Sequence, residues 1–149
     1  MKTMMLLCFF WMLASARAAI GDTLEQCIAR YGQPVASPST TIPGGLYHFE
    51  KDGLHIGIGI FAGHVDYLQF SRTSADPGEP LRLSEDELRR LLMANAPEGH
   101  KWVARDGLEN QWVSDDGNWY AAKLVAQGAM VIQTKAHYDR TTPPKPRSE

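Results

Sequence analysis

The segment between residues 47 and 70, YHFEKDGLHIGIGIFAGHVDYLQF, constrains the fold more than any other part of this chain. Its Asp52-Gly53 dipeptide lies between two runs of alternating apolar residues, which is the pattern of a β-hairpin with a two-residue turn. Such a turn places Glu50 opposite His55 and pairs the strands without a gap. We therefore predict an antiparallel sheet with one buried face, formed by Tyr47, Phe49, Leu54, Ile56, Ile58 and Ile60.

The same signals recur 64 residues further along the chain. The Asp52-Gly53 turn corresponds to Asp116-Gly117, and a helical stripe of three apolar residues precedes each turn at the same offset. These patterns predict an α+β fold of two tandem repeats, each a short helix followed by an antiparallel β-meander, with the helices packed on one sheet face. The predicted repeats span 19–75 and 76–140, and the last predicted strand runs over 130–138. The stripes are Leu24, Cys27, Ile28 and Leu88, Leu91, Leu92.

Both predicted helices begin with a capping box, in which a short polar residue is followed three positions later by Glu. Asp22 and Glu25 form the first pair, and Ser84 and Glu87 form the second. Cys27 lies on the apolar stripe of the first helix, which predicts a buried side chain. An odd cysteine in an exported protein is alternatively a reactive thiol or an intermolecular bridge.

Residues 1–18 have the order of a signal peptide: a basic residue, the apolar run from Met4 to Leu13, and small residues before a cleavage site after Ala18. The alternative is a buried N-terminal helix. Cleavage predicts a periplasmic or secreted protein without a transmembrane segment. It removes two of the 15 basic residues, and the remaining 13 against 17 acidic ones argue against nucleic-acid binding. The proline-containing residues 141–149 predict a disordered tail.

Two short motifs resemble a known superfamily. Gly21 to Cys27 (GDTLEQC) and Tyr31 to Pro34 (YGQP) are similar to the glycine, short helix and Leu-Gly-x-Pro ending of β-lactamase-inhibitor-protein-like domains and of the related SmpA/OmlA lipoproteins of outer-membrane assembly. The hairpin pattern around Asp52-Gly53 also fits. The resemblance implies a mostly non-enzymatic protein that binds another protein through the open face of its sheet. Leu7 precedes Cys8 where a lipoprotein has a small residue, so no lipid anchor is expected.

The unburied face of the first hairpin carries the best candidate for metal chemistry. His48, Glu50 and His55 fall within reach of one another there, and imidazole nitrogen and carboxylate oxygen are normal zinc ligands. The alternative is a solvated Glu–His cross-strand pair. On the same face, Gly57 and Gly59 either permit the close approach of another group or simply form a flat strand.

The second repeat predicts a different surface. If Tyr120, Ala122 and Leu124 face inward, the side chains between them face outward, where exposed aromatic and basic residues are typical of protein interfaces. The alternative is that the second helix or the tail covers the tryptophans. The chain has no nucleophile elbow, phosphate-binding loop or metalloprotease motif. We therefore predict an exported, non-enzymatic module without a cofactor that binds another envelope or secreted protein; the predicted contact residues are His48, Glu50, His55, Tyr67, Trp112, Trp119 and Lys123.

Overall fold

The computed structural model describes residues 20–73 and 82–142, and these residues form three helices and seven strands. The α+β class is confirmed. The predicted signal peptide and residues 143–149 of the predicted tail lie outside the described residues. In chain order the elements are α1 (Leu24–Tyr31), β1 (Leu46–Lys51), β2 (Leu54–Phe61), β3 (His64–Arg72), α2 (Glu85–Ala94), β4 (Trp102–Ala104), β5 (Gln111–Ser114), β6 (Trp119–Leu124), β7 (Ala129–Thr134) and α3 (Lys135–Thr141).

All seven strands belong to one antiparallel sheet in the order β1-β2-β3-β7-β6-β5-β4. The two halves of the chain meet where β3 pairs with β7, for example at Leu68 and Ile132. The strands that end the sheet are therefore β1 and the three-residue β4. A short edge strand offers few free backbone groups, which limits pairing with other chains.

The first hairpin has the predicted register. Glu50 is paired with His55, and Lys51 with Leu54, directly beside the turn. Asp52 and Gly53 have φ values of 53° and 75°, and this left-handed conformation is the one that favours Asp-Gly in two-residue hairpin turns. Local turn chemistry therefore sets the pairing of β1 with β2.

Two helices cover the face of the sheet that we call the inner face, and we call the opposite one the outer face. Phe49, Ile58, Leu68 and Ile132 project from the inner face and are fully buried, as is Cys27 of α1. The predicted burial of Cys27 is confirmed. Burial of an aliphatic or aromatic side chain of this size contributes roughly 1.5–3 kcal/mol, so this layer supplies most of the driving force for folding.

The predicted N-terminal cap is confirmed for α2 but not for α1. Ser84 caps α2 and Glu87 completes its box, as the sequence predicts. In α1 the cap is Thr23 and its partner is Gln26, so the prediction of Asp22 and Glu25 is wrong by one residue. The backbone of Asp22 instead accepts a hydrogen bond from Val65 N–H, and this pairing with β3 delays the start of the helix.

The last strand is shorter than predicted, because it ends at Thr134 rather than at residue 138. The Thr134 side chain accepts a hydrogen bond from His137 N–H and caps α3. This third helix packs on the outer face, where His137 stacks on Tyr67 and Tyr138 contacts Tyr120. The two predicted helices, α1 and α2, therefore pack on one face, whereas α3 was not predicted and packs on the opposite face.

Candidate functional site

The outer face is the best candidate for a binding surface, because much of it lacks a covering layer of helices. In antiparallel strands, directly paired residues point to the same side of the sheet. The pairs Val103–Val113, Val113–Tyr120, Tyr120–Gln133 and Gln133–Tyr67 therefore form one row across five strands. The next row contains Gln111, Ala122, Val131, Gln69 and Gly57.

Tyr67 lies in the middle of this face but is partly covered. Its ring stacks on the imidazole of His137, with 4.9 Å between centroids, and its hydroxyl donates a hydrogen bond to Gln69 Oε1 at 2.8 Å. Burial raises the pKa of the Tyr67 hydroxyl above its usual value. Tyr67 therefore joins α3 to the sheet and presents only part of its ring to solvent.

A partly buried cluster of polar side chains holds α3 against the sheet beside Tyr67. Asp66 accepts hydrogen bonds from His137 Nδ1 at 3.2 Å and from the guanidinium of Arg140. Asp66 lies at a bulge, because Gly59 pairs with Tyr67 while Ile60 pairs with Val65. The bulge turns the Asp66 carboxylate towards α3, and the sequence contained no periodic signal of it.

His48 and His55 come together at the other end of the outer face. His48 Nδ1 lies 3.0 Å from His55 Nε2, a hydrogen-bond distance that requires one nitrogen to donate and the other to accept. Burial, and secondarily the charge of His55, lowers the pKa of His48. His48 pairs with Gly57 across the strands, and the two imidazole rings lie with 5.1 Å between their centroids.

Glu50 is the third predicted ligand of this group, and it pairs with His55 as predicted but is exposed. Its carboxylate does not join the two imidazoles in a three-ligand cluster. Within the described ranges, the cluster of three metal-ligating side chains is a different one, formed by His100, Asp115 and Asp116.

The His100 cluster is an exposed hydrogen-bonded turn in the second half. His100 Nδ1 lies 2.7 Å from Asp115 Oδ1, and its Nε2 lies 3.5 Å from Asp116 Oδ2. Hydrogen bonds from Ser114 and Asn118 hold the pKa of Asp116 at about 2. Sequence reasoning missed this group because pairing of β4 with β5, rather than spacing along the chain, brings His100 beside Asp115.

Three predicted contact residues lie on the inner face, so their prediction as outer-face residues is wrong. Trp112 packs against the core together with Ala121, with which it pairs. Trp119 and Lys123 alternate with Tyr120 and Ala122 along β6 and therefore point to the same side as Ala121. Trp112 and Lys123 line a cavity under α2, which agrees with the alternative that the second helix covers Trp112.

A difference of one residue between the spacing of the turns and the spacing of the strands explains why these three residues were predicted on the wrong face. The turns repeat at 64 residues, but β5, β6 and β7 begin 65 residues after β1, β2 and β3, as the pairs Leu46–Gln111, Leu54–Trp119 and His64–Ala129 illustrate. A shift of one residue reverses every side chain in a strand. Ala121, rather than Tyr120, therefore occupies the inner-face position that corresponds to Ile56.

Gly59 permits the close approach that was one of its two predicted roles. A Cβ atom at this position would lie 2.7 Å from Ile42 Cδ1 and 2.9 Å from Tyr67 Cβ. Ile42 belongs to the loop before β1, so this loop covers the outer face where glycine leaves space. At Gly57 the corresponding contacts are ordinary, with the nearest atom at 3.6 Å.

Cys27 is poorly suited to nucleophilic chemistry. Burial, and secondarily the charge of Asp22, raises the pKa of its thiol to about 11. The thiolate is the reactive form of cysteine, and it is scarce at neutral pH at such a pKa.

Comparisons with known proteins leave the function open. No protein-family model matches the chain, and no curated protein matches it either. One similar solved structure is a cysteine-rich secretory protein from Staphylococcus aureus, with a TM-score of 0.45 and 13% sequence identity. The match covers 79% of this chain but 45% of that protein. Among the described residues, no helix combines the length and apolar character that crossing a membrane requires.

Proposed function

We propose that this chain is an exported, non-enzymatic module that binds another envelope or secreted protein through the outer face of its sheet. The observation that supports this proposal most directly is the absence of charge over much of that face. From Tyr67 in β3 through β7, β6, β5 and β4, ten outer-face positions of the described strands are at least partly exposed and uncharged, and we call them the uncharged field: Tyr67, Gln69, Ser71, Val103, Gln111, Val113, Tyr120, Ala122, Leu124 and Gln133. Ala129 and Val131 lie between them and are uncharged but buried.

This composition favours a protein partner. The centres of protein interfaces are depleted of charged residues and enriched in tyrosine and arginine. Arg105 lies at the margin of the field, with its guanidinium 5.7 Å from the centre of the Tyr120 ring. Val103 and Leu108 add exposed apolar area at the same end of the sheet. Export is supported by the signal-like residues 1–18.

The proposed ancestry of the module is a tandem repeat related to β-lactamase-inhibitor-protein-like domains. The motifs at Gly21–Cys27 and Tyr31–Pro34 support it, as does the constant 65-residue spacing of three strand starts. In this proposal, the repeats are α1-β1-β2-β3 and α2-β5-β6-β7, and the pairing of β3 with β7 joins them.

A charge introduced into the uncharged field tests the proposal. The mature chain from Ala19 is immobilised and exposed to envelope extract of its source, and bound proteins are identified. Ala122→Arg places a long charged side chain at the middle of the field, and we expect loss of the partner. Met93→Arg is the matched control, because Met93 is exposed on α2, away from the sheet. A thermal melt of each variant establishes that it is folded.

Two outcomes would contradict the proposal. A partner retained equally by wild type and Ala122→Arg would place the contact elsewhere. Photo-crosslinking from position 113, compared with position 93, provides an independent readout, because it needs no destabilising change at Ala122. Adducts confined to position 93 would move the binding surface to the helical side.

A metal site at His48 and His55 is the second candidate function. It is favoured by the 3.0 Å separation of the two ring nitrogens, because two ligands of one ion must come this close. Glu50 is exposed and lies opposite His55, so it is the third ligand in this proposal. Burial, and secondarily the charge of His55, lowers the pKa of His48, and this favours the neutral ring that metal binding requires.

Thermal melting with Zn²⁺ and with a chelator tests the metal site. Zn²⁺ that binds only the folded state raises the melting temperature. At a Zn²⁺ concentration one hundred times Kd, the added stability is about 2.7 kcal/mol. We expect the rise to disappear in His55→Gln and to persist in His100→Gln. A rise that disappears only in His100→Gln would assign the ion to the turn instead, and equal melting with zinc and chelator would eliminate both sites.

A further inference from the structure

The second half of the core contains a cavity that is larger than the cleft of about 160 Å³ lined by Ile56 and Phe70 in the first half. Its volume is about 250 Å³, and it lies between α2 and the inner face of the sheet. Leu88 and Leu92 of α2 form one wall, and Trp112 and Met130 form the other. Protein interiors are normally packed as densely as organic crystals, so a cleft of this size under a helix requires an explanation.

The side chains of β6 account for the space. Strand β2 fills the inner face with Ile56, Ile58 and Ile60, all of which are buried. Strand β6 presents Ala121 and Lys123 to the same face. Alanine fills less of the layer than isoleucine, and lysine carries its charge through the layer towards solvent.

The cavity therefore combines apolar walls with a positively charged side chain. The Lys123 side chain is only 19% exposed, and its ammonium pairs with Glu85 at the start of α2. The Glu85 side chain is 77% exposed, and exposed ion pairs of this kind add little stability, so Glu85 is readily displaced. Arg89 lines the cavity one helical turn further on, which leaves two positive charges and one negative around the space.

We propose that this cavity binds a monocarboxylate with an apolar body. The carboxylate accepts hydrogen bonds from Lys123 Nζ in place of Glu85, and the apolar body contacts Trp112, Met130 and Leu88. A cavity of about 150 Å³ accommodates benzene, so the larger cavity has room for a ring with a short alkyl chain. This site lies on the opposite face of the sheet from the proposed protein-binding surface, and it does not depend on that surface.

Calorimetric titration with 4-phenylbutyrate and with the neutral alcohol 4-phenylbutan-1-ol tests the proposal. We expect wild-type protein to prefer the carboxylate. Lys123→Met keeps an apolar stem without the charge, and we expect it to weaken carboxylate binding at least about tenfold while changing alcohol binding by less than about twofold. Lys135→Met is the matched control, because Lys135 also pairs with a carboxylate, Asp139, but lies outside the cavity.

A second variant keeps the test decisive if Lys123→Met does not fold. Glu85→Gln removes the competing carboxylate from an exposed position, and we expect it to strengthen carboxylate binding about three- to tenfold. A merely structural Lys123–Glu85 pair would predict no such gain. Absence of saturable binding to the wild type, or equal affinity for acid and alcohol, would overturn the proposal.

Discussion

The two hairpins of this sheet share an Asp-Gly dipeptide and differ in what they place on each face. The first, around Asp52-Gly53, puts Phe49, Ile56 and Ile58 under the helices in a close-packed layer. The second, around Asp116-Gly117, puts Trp112, Ala121 and Lys123 there and leaves a cavity. The first half therefore fills most of this face with buried apolar side chains and leaves a cleft of about 160 Å³, whereas the second places a lysine there beside a larger cavity. The same Asp-Gly dipeptide thus occurs in two hairpins whose inner faces differ in packing and charge.

The largest effect we expect comes from the packed half. Phe49→Ala removes a fully buried aromatic ring and should lower the free energy of unfolding by about 3–5 kcal/mol, because a cavity remains. Val103→Ala, on the open face of the second half, should cost less than about 0.5 kcal/mol. Urea denaturation measures both. Comparable losses in the two variants would contradict the burial of Phe49 under the helices and the exposure of Val103.

A smaller effect should distinguish the two strand glycines on the outer face of the first half. Gly59→Ala places a Cβ against Ile42 and Tyr67 and should destabilise by about 1–3 kcal/mol through overpacking. Gly57→Ala meets only ordinary contacts and should change stability by less than that. Combining Gly59→Ala with Ile42→Ala should recover part of the loss in thermal denaturation. If Gly57→Ala is the more damaging variant, Ile42 does not pack as described.

The smallest effect concerns the charged turn of the second half. The pKa of Asp116 is about 2 in the folded protein, below the value of about 3.9 for an unfolded aspartate. The unfolded state therefore binds protons first as pH falls, and the stabilisation present above pH 4 disappears as pH approaches 2. Asp116→Asn should flatten the dependence of stability on pH in this window, which urea denaturation at a series of pH values measures. Equal slopes for wild type and Asp116→Asn would contradict the assignment.

Short-range patterns in the chain were sufficient to predict the register of β1 with β2, the inner face of the first hairpin, the start of α2 and the burial of Cys27. Each of these depends on residues within a few positions of one another: a two-residue turn, a period of two, or a capping pair. Those interactions are decided locally, so they can be identified before the fold is known.

Only the tertiary structure decided which face Trp112, Trp119 and Lys123 occupy, where α3 begins and which side chains cluster around His100. A strand shifted by one residue reverses its faces, and neither a turn nor a period of two specifies that shift. The pairing of β3 with β7 and of β4 with β5 joins residues far apart in the chain, and the bulge at Asp66 forms only within that sheet. These features follow from non-local contacts, and those contacts exist only once the whole sheet has assembled.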